Sequence, residues 1–231
     1  KMYITGGIGG NLQGESFSNP YDLPNTTAYN ETCAAIGLAM FTQRLFLLHG
    51  DARFLDVLER LLYNAVPAGI GLHGDRFFYV NPLESDGLRP FNKGVAARKP
   101  WFSCPCCPTN IARFIPSIPG LIYAKDKDGA YVNLFVAGAG EIPWQDHLIR
   151  IEQKTDYPWD GRIKLFITPD RPVACTIKIR IPGWVRHEPV PGNLYTIQGE
   201  DTVRCEFSIN NRPINPTVTK GFALFHRKWC S

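Results

Sequence analysis

The sequence predicts an α+β protein in two parts, and three observations predict it. A loop-rich stretch of Gly, Asn, Pro and Ser comes first. Apolar residues then recur at three- and four-residue spacing from about Thr27 to Leu62. From about Ala130, β-branched runs alternate with Gly, Pro and Asp turns. The change of period from 3.6 to 2 puts a boundary near residues 120–129. Residues 1–122 are expected to form the helical part and residues 123–231 an antiparallel β-sandwich.

Each element follows from local signals. Residues 1–24 read as one long loop, and loops of that length inside compact domains usually serve a function. A helix is expected from near Thr27, with Leu38, Phe41, Leu45 and Leu48 as its apolar stripe and Gly50 as its C-cap. Asp51 caps the next helix, whose stripe of Phe54, Leu55, Leu58, Leu61 and Leu62 ends before Pro67. The tight His49-Gly50-Asp51 link makes the pair an αα-hairpin. Residues 76–80 read as a short strand. Residues 108–123 are helical in pattern (Ile111, Phe114, Ile115, Ile118, Leu121), but Pro116 and Pro119 should break them. Strands are expected over residues 131–136, 147–153, 162–168, 174–181 and 202–209 (Thr202 onward), with an unfinished strand at residues 225–231. Cys175 and Cys205 alternate with apolar neighbours and read as core residues.

Composition excludes several function classes. With 231 residues, 44% of them hydrophobic, the chain can fill a sizeable core. The net charge of +4 is small and its basic residues are scattered, so nucleic acid is not an expected partner. No run approaches the roughly 18 apolar residues of a membrane span, so no membrane is expected either. Seven cysteines are an odd number, and four of them crowd into two motifs, unlike a secreted disulfide framework. Reduced, metal-binding cysteines in a cytosolic setting fit better. The chain opens inside the motif Lys1-Met-Tyr-Ile-Thr-Gly-Gly7 and is expected to be a piece of a longer protein.

The chemistry concentrates in Cys104-Pro-Cys-Cys-Pro108 and Glu31-Thr-Cys33. Thiolates this close repel unless a cation neutralises them or an oxidant joins them. Zinc takes Cys and Glu in a tetrahedral shell. Glu31 and Cys33, two apart, would point nearly opposite ways within a helix, so an irregular turn or a frayed helix start is expected there. The adjacent Cys106 and Cys107 are likewise expected on non-helical backbone supplied by Pro105 and Pro108. The Gly14-Glu15 pair adds a second acid. Burial of Glu15 among Phe17, Tyr21 and apolar helix faces is expected to raise its pKa. A purely structural zinc and a set of buried free thiols remain alternatives at this point.

In several ordered motifs the chain resembles glycoside hydrolase family 127, whose best-known members are β-L-arabinofuranosidases. The matching stretches are Tyr3-Ile-Thr-Gly-Gly-Ile-Gly9, Gly14-Glu-Ser-Phe17, Tyr21-Asp-Leu-Pro-Asn25 and Tyr29-Asn-Glu-Thr-Cys33. They continue with Phe78-Tyr-Val-Asn-Pro-Leu-Glu84, Trp101-Phe-Ser-Cys-Pro-Cys-Cys-Pro-Thr-Asn110, Thr155-Asp-Tyr-Pro-Trp159 and Arg180-Ile-Pro-Gly-Trp184. The pattern fades after Gly221-Phe-Ala-Leu224. The resemblance implies that residues 1–122 are the C-terminal part of an (α/α)6 catalytic barrel, followed by a truncated sandwich. It implies zinc held by Glu31, Cys33, Cys106 and Cys107, with Cys106 also the nucleophile, Glu15 the general acid/base and Tyr79 lining the sugar pocket. The implied partner is a carbohydrate, an L-arabinofuranoside of plant glycans or glycoproteins. The reading from another class is a non-catalytic carbohydrate-binding or structural protein whose zinc pins the Cys-rich loop to the hairpin.

Overall fold

Helices come first and strands second, and the fold class is α+β. The computed structural model describes residues 1–11, 13, 15–199 and 203–230, so Gly14, Thr202 and Ser231, which figure in the readings above, lie outside the described residues. Among those described, the helices are α1 (Thr32–His49), α2 (Ala52–Tyr63), α3 (Ala65–Ala68), α4 (Cys106–Phe114) and α5 (Pro119–Ile122). The strands are β1 (Tyr123–Asp126), β2 (Gly129–Val132), β3 (Gly138–Trp144), β4 (His147–Thr155), β5 (Ile163–Pro169), β6 (Val173–Arg180), β7 (Phe207–Ile209), β8 (Arg212–Ile214), β9 (Thr217–Thr219) and β10 (Phe222–Trp229). The chain divides into two compact units, Lys1–Leu45 with Val57–Ser117, and Phe46–Asp56 with Ile118–Ser231.

In the first unit the described residues of the opening segment form a loop, as expected, with an isolated bridge of Asn11 to Ser16. Helix α1 begins at Thr32 rather than near Thr27 because the residues before it bond elsewhere. Asn30 has a left-handed φ of 47°. Its N–H donates to Gly9 O at 2.8 Å, and Tyr29 O accepts from Asn81 N–H at 3.1 Å. The helix start is then pinned, with Thr32 N–H donating to Tyr79 O (3.1 Å) and the Thr32 hydroxyl to Phe78 O (2.8 Å).

The buried face of α1 is Ala35, Ile36, Ala39, Thr42 and Phe46, not the expected stripe, of which Phe41 and Leu48 are exposed. The helix is apolar all round, so periodicity alone could not choose a face. By length and composition alone α1 also matches a membrane span, at a mean hydropathy of 1.2, which exceeds the expectation from the sequence. A core helix passes the same test. In α2 the expected Leu55, Leu58 and Leu61 are fully buried. Gly50 caps α1 with φ 59°, its N–H donating to Phe46 O at 2.7 Å, and Asp51 Oδ1 accepts from Arg53 N–H at 3.0 Å.

Residues 76–80 form isolated bridges, Phe77 to Ile70 and to Lys99, rather than a strand. The ladder stops there because the Asn92 side chain takes the Tyr79 N–H at 2.8 Å. The 108–123 segment breaks as expected, into α4, a 3-10 turn over Ile115–Ser117, and α5 with Pro119 in its first turn.

The second unit holds a five-stranded sheet, in order β1-β2-β6-β10-β9, a three-stranded sheet, β3-β4-β5, and the hairpin β7-β8. Ala130 and Val132 of β2 and Cys175 and Ile177 of β6 share one core with Ile142, Trp144, Ile149 and Ile151 of the smaller sheet. The sheets therefore pack face to face on apolar side chains. The pairing is not wholly antiparallel, because β2 runs parallel to β6. Parallel neighbours need a long crossover, and the smaller sheet, lying between them in sequence, is that crossover. The run at 131–136 is strand only to Val132, and 202–209 only from Phe207. The segment expected as an unfinished strand belongs to β10, which is paired to β6 along all eight of its residues.

The Arg180-Ile-Pro-Gly-Trp184 stretch organises this unit around one carboxylate. Asp56 Oδ1 accepts from Arg180 (2.8 Å) and from Gly183 N–H (2.9 Å), while Oδ2 accepts from Arg186 (2.9 Å). Arg180 is 1% exposed and also donates to Asn133 O at 2.6 Å. A Cβ at Gly183 would meet Asp56 Oδ2 at 2.7 Å and Glu188 O at 2.3 Å, so only glycine allows this approach. Removing Asp56 would leave a buried guanidinium without its counter-charge. Asp56→Ala is expected to lower stability by about 3–5 kcal/mol in denaturant unfolding. A loss below about 1 kcal/mol would show that the pair does not hold the unit together.

Candidate functional site

Two helix starts build the site. Glu31 is the last residue before α1 and Cys33 its second residue, which is the helix-start placement expected. Cys106 and Cys107 open α4, with Pro105 as its N-cap residue. This corrects the expectation of non-helical backbone. Neighbours in a first turn point about 100° apart, and both can reach a point lying off the helix end. Helix N-termini also favour anionic thiolates.

One ligand atom from each of Glu31, Cys33, Cys106 and Cys107 lies within 4.8 Å of the others. Cys106 Sγ is 3.7 Å and Cys107 Sγ 3.6 Å from Glu31 Oε1, and the two sulfurs are 3.9 Å apart. Bond lengths of about 2.3 Å to sulfur and 2.0–2.2 Å to oxygen space tetrahedral ligands about 3.6–3.8 Å apart. The donor set therefore fits a tetrahedral metal ion in both chemistry and spacing.

Without a cation the groups of this cluster share protons. A proton shared from Cys107 lowers the Cys33 thiol to about 7. The same hydrogen bond, followed by burial, holds Cys107 far above the usual thiol range. Burial lifts Cys106 to about 11, and burial and then the charge of Glu15 raise Glu31. One sulfur ionises only at the expense of its neighbours.

Glu15 has a left-handed backbone, φ 49°. Its Oε1 accepts from the Tyr29 hydroxyl at 2.8 Å and the Tyr79 hydroxyl at 3.2 Å, and Lys93 Nζ stands 3.7 Å away. These contacts, the Tyr29 hydrogen bond foremost, hold its carboxyl below the usual range. The expected upward shift is overturned, because Phe17 and Tyr21 are exposed and do not bury it. Tyr79 is buried, edge-on to Tyr29 and Phe102, and its hydroxyl is also within hydrogen-bonding reach of Cys106. It stands between the acid and the sulfur cluster.

Sequence reasoning missed Tyr29, Asn92 and Lys93 as members of this site. Tyr29 lay in plain view beside Glu31. The only local sign of Lys93 is its place between a polar Asn and a Gly. The five histidines and Cys104 are outside the metal-holding group, and Cys104 is exposed. Cys175 is buried as expected, but Cys205 is exposed in the segment before β7, contrary to its core reading.

A helical unit followed in sequence by a two-sheet unit is a plan shared by many carbohydrate-active enzymes. Residues 1–120 match the β-L-arabinofuranosidase GH127 catalytic domain, and residues 129–231 the GH127 middle domain. The chain belongs to glycoside hydrolase family 127. The second match runs through the last residues, where the motif pattern was expected to fade.

The chain is 40% identical over 195 residues to a non-reducing end β-L-arabinofuranosidase of Bifidobacterium longum subsp. longum, covering 80% of this chain and 29% of that one. It resembles the solved GH127 β-arabinofuranosidase BT3674 (TM-score 0.93, 48% identity, 100% of this chain and 35% of that one). It also resembles the GH127 β-L-arabinofuranosidase of Geobacillus stearothermophilus T6 (TM-score 0.86, 39% identity, 100% and 34%). The chain thus spans about a third of the length of these relatives.

The thiol order is directly testable. In the metal-free protein, alkylation of Cys33 should rise through pH of about 7, while Cys106 should need pH near 11. Peptide mapping by mass spectrometry reads both, and metal should protect both. Equal reaction of Cys33 and Cys106 at every pH would contradict the shared-proton arrangement.

Proposed function

We propose that the full-length protein is a zinc-dependent retaining glycoside hydrolase that releases terminal β-L-arabinofuranosyl residues from plant-type glycans or glycoproteins. The observation that carries this is the gathering of Glu31, Cys33, Cys106 and Cys107 next to Glu15, with Tyr79 touching both groups, in a member of family 127. The helical unit is proposed to be the C-terminal part of an (α/α)6 barrel. The apolar outer face of α1, with Met40, Phe41, Leu47 and Leu48 exposed, suits cover by further helices of that barrel.

Glu31, Cys33, Cys106 and Cys107 would hold the zinc, which when bound supplies the positive charge that keeps the thiolates ionised at neutral pH. In the first step the Cys106 thiolate attacks the anomeric carbon. The bond from that carbon to the glycosidic oxygen breaks, and Glu15 gives its proton to the departing oxygen. In the second step the Glu15 carboxylate takes a proton from water, the water oxygen attacks the anomeric carbon, and the carbon–sulfur bond breaks to return the thiolate. Two inversions retain configuration. Tyr79, bonded to the acid and reaching the nucleophile, fixes their mutual position.

Two substitutions in the full-length protein test the roles. Glu15→Gln should lower kcat on an aryl β-L-arabinofuranoside by roughly 10²–10⁴-fold with zinc retained. Cys106→Ser should abolish turnover. Wild-type turnover by Glu15→Gln would show that Glu15 is not the acid/base, and purified protein without stoichiometric zinc would remove the metal from the proposal.

A further inference from the structure

Among the described residues, the donors that meet Glu15 meet the same oxygen. The Tyr29 and Tyr79 hydroxyls both bond Oε1, and the Lys93 ammonium is nearest to Oε1 as well. Lys93 Nζ also donates to the Tyr29 hydroxyl oxygen at 2.9 Å and lies 4.2 Å from the centre of the Tyr79 ring. An ammonium has protons to give and no lone pair to receive one. With Lys93 occupying its oxygen, Tyr29 has one proton left, and Glu15 is the acceptor it faces.

The backbone around Lys93 is organised to hold it there. Lys93 has φ 51°, a conformation in which glycine would be relaxed, and glycine follows it at position 94. The preceding Asn92 is fully buried. Its side chain accepts from Tyr79 N–H (2.8 Å) and Val80 N–H (3.4 Å) and donates to Phe77 O (3.1 Å) and Ala97 O (2.9 Å). The same side chain therefore ties the Lys93 loop to the segment that carries Tyr79.

We propose that Lys93 is a positioning residue, which turns the Tyr29 proton onto Glu15 Oε1 and so leaves Oε2 as the oxygen that exchanges the proton with the glycosidic oxygen and then with water. The proposal rests on Glu15 being the acid/base of the preceding section. The groups facing Glu15 are Tyr29, Tyr79 and Lys93, with the charge of Glu31 acting from further off and Cys106 beyond Tyr79. Lys93 is the cation among these named groups.

The sign of its effect follows. Glu15 must be protonated for the first step, so kcat/KM falls as pH rises through its pKa. Removing a nearby cation raises that pKa. In the full-length, zinc-loaded protein, Lys93→Met should move the alkaline limb of kcat/KM up by about half a unit to one unit. Tyr29→Phe should move it the same way, and Lys93→Arg should return it to the wild-type position. With an arabinofuranose-configured inhibitor bound, a crystal structure should place the leaving-group oxygen on Oε2.

A limb unmoved in Lys93→Met overturns the proposal. So does complete loss of turnover with zinc retained and no relief by Lys93→Arg, which is the signature of a group touching the reacting atoms. Contact of the inhibitor oxygen with Oε1 overturns it too. Wild-type turnover by Glu15→Gln would sink the acid/base reading itself. An inactive Glu15→Gln together with an unmoved Lys93→Met limb would sink this inference alone.

Discussion

Three thiol sulfurs and a carboxylate oxygen share a space in which no ligand atom is more than 4.8 Å from another. Two unit charges of like sign 4 Å apart repel by about 4 kcal/mol at an effective dielectric of 20, and this cluster contains several such pairs. Two helix starts offer only fractional positive charge. The chain by itself can relieve the repulsion only by sharing protons, which is why Cys33 is lowered while Cys106 and Cys107 are raised. A cation removes the conflict outright. Local contacts of the first unit hold the two helix starts together. The Thr32 bonds to residues 78 and 79 and the packing of Cys107 with Tyr29, Tyr79 and Phe102 are the visible restraints.

The order of elements was legible because period 3.6 and period 2 are properties of neighbouring residues. The Gly50 and Asp51 caps were legible for the same reason, as were the breaks at Pro116 and Pro119. What stayed hidden depends on partners far away in sequence. Strand β3 opens on Gly138 and Gly140 and contains Pro143, and reads as a turn; it is tolerated as an edge of its sheet. The parallel pairing of β2 with β6 cannot be seen in either strand alone. Helix α1 is apolar on every side, so its buried face depends on what packs against it. The sulfurs of Cys106 and Cys107 lie beside Glu31 and Cys33 on a helical first turn rather than on the expected non-helical backbone, because neighbours in a first turn can both reach a point off the helix end.

The electrostatics of Glu15 show the same limit more sharply. Composition around position 15, with Phe17 and Tyr21 nearby, suggested an apolar pocket and a raised pKa. Those rings face solvent, and the groups that decide the shift come from 14, 64 and 78 residues away in the chain, as Tyr29, Tyr79 and Lys93. A carboxylate that accepts two hydroxyl protons beside an ammonium is stabilised in its ionised form. For an acid/base residue that form is needed in the second half of the proposed cycle, and it must first take up a proton in the other half. Such a network favours a working range on the acid side of neutrality.

Backbone strain points to the same place. Glu15, Asn30 and Lys93 are not glycine, yet all three hold left-handed φ values of 47–51°. Conformations of this kind cost of order 1–3 kcal/mol each and persist only where surrounding bonds overdetermine them. Here those bonds are the Asn30 N–H to Gly9, the four made by the Asn92 side chain, and the three contacts on Oε1. At Asn30 the turn brings Glu31 to the end of α1. At positions 15 and 93 glycine would relieve the strain, but it would have no carboxylate and no ammonium to offer. The strain at positions 15 and 93 therefore holds side chains whose chemistry glycine lacks.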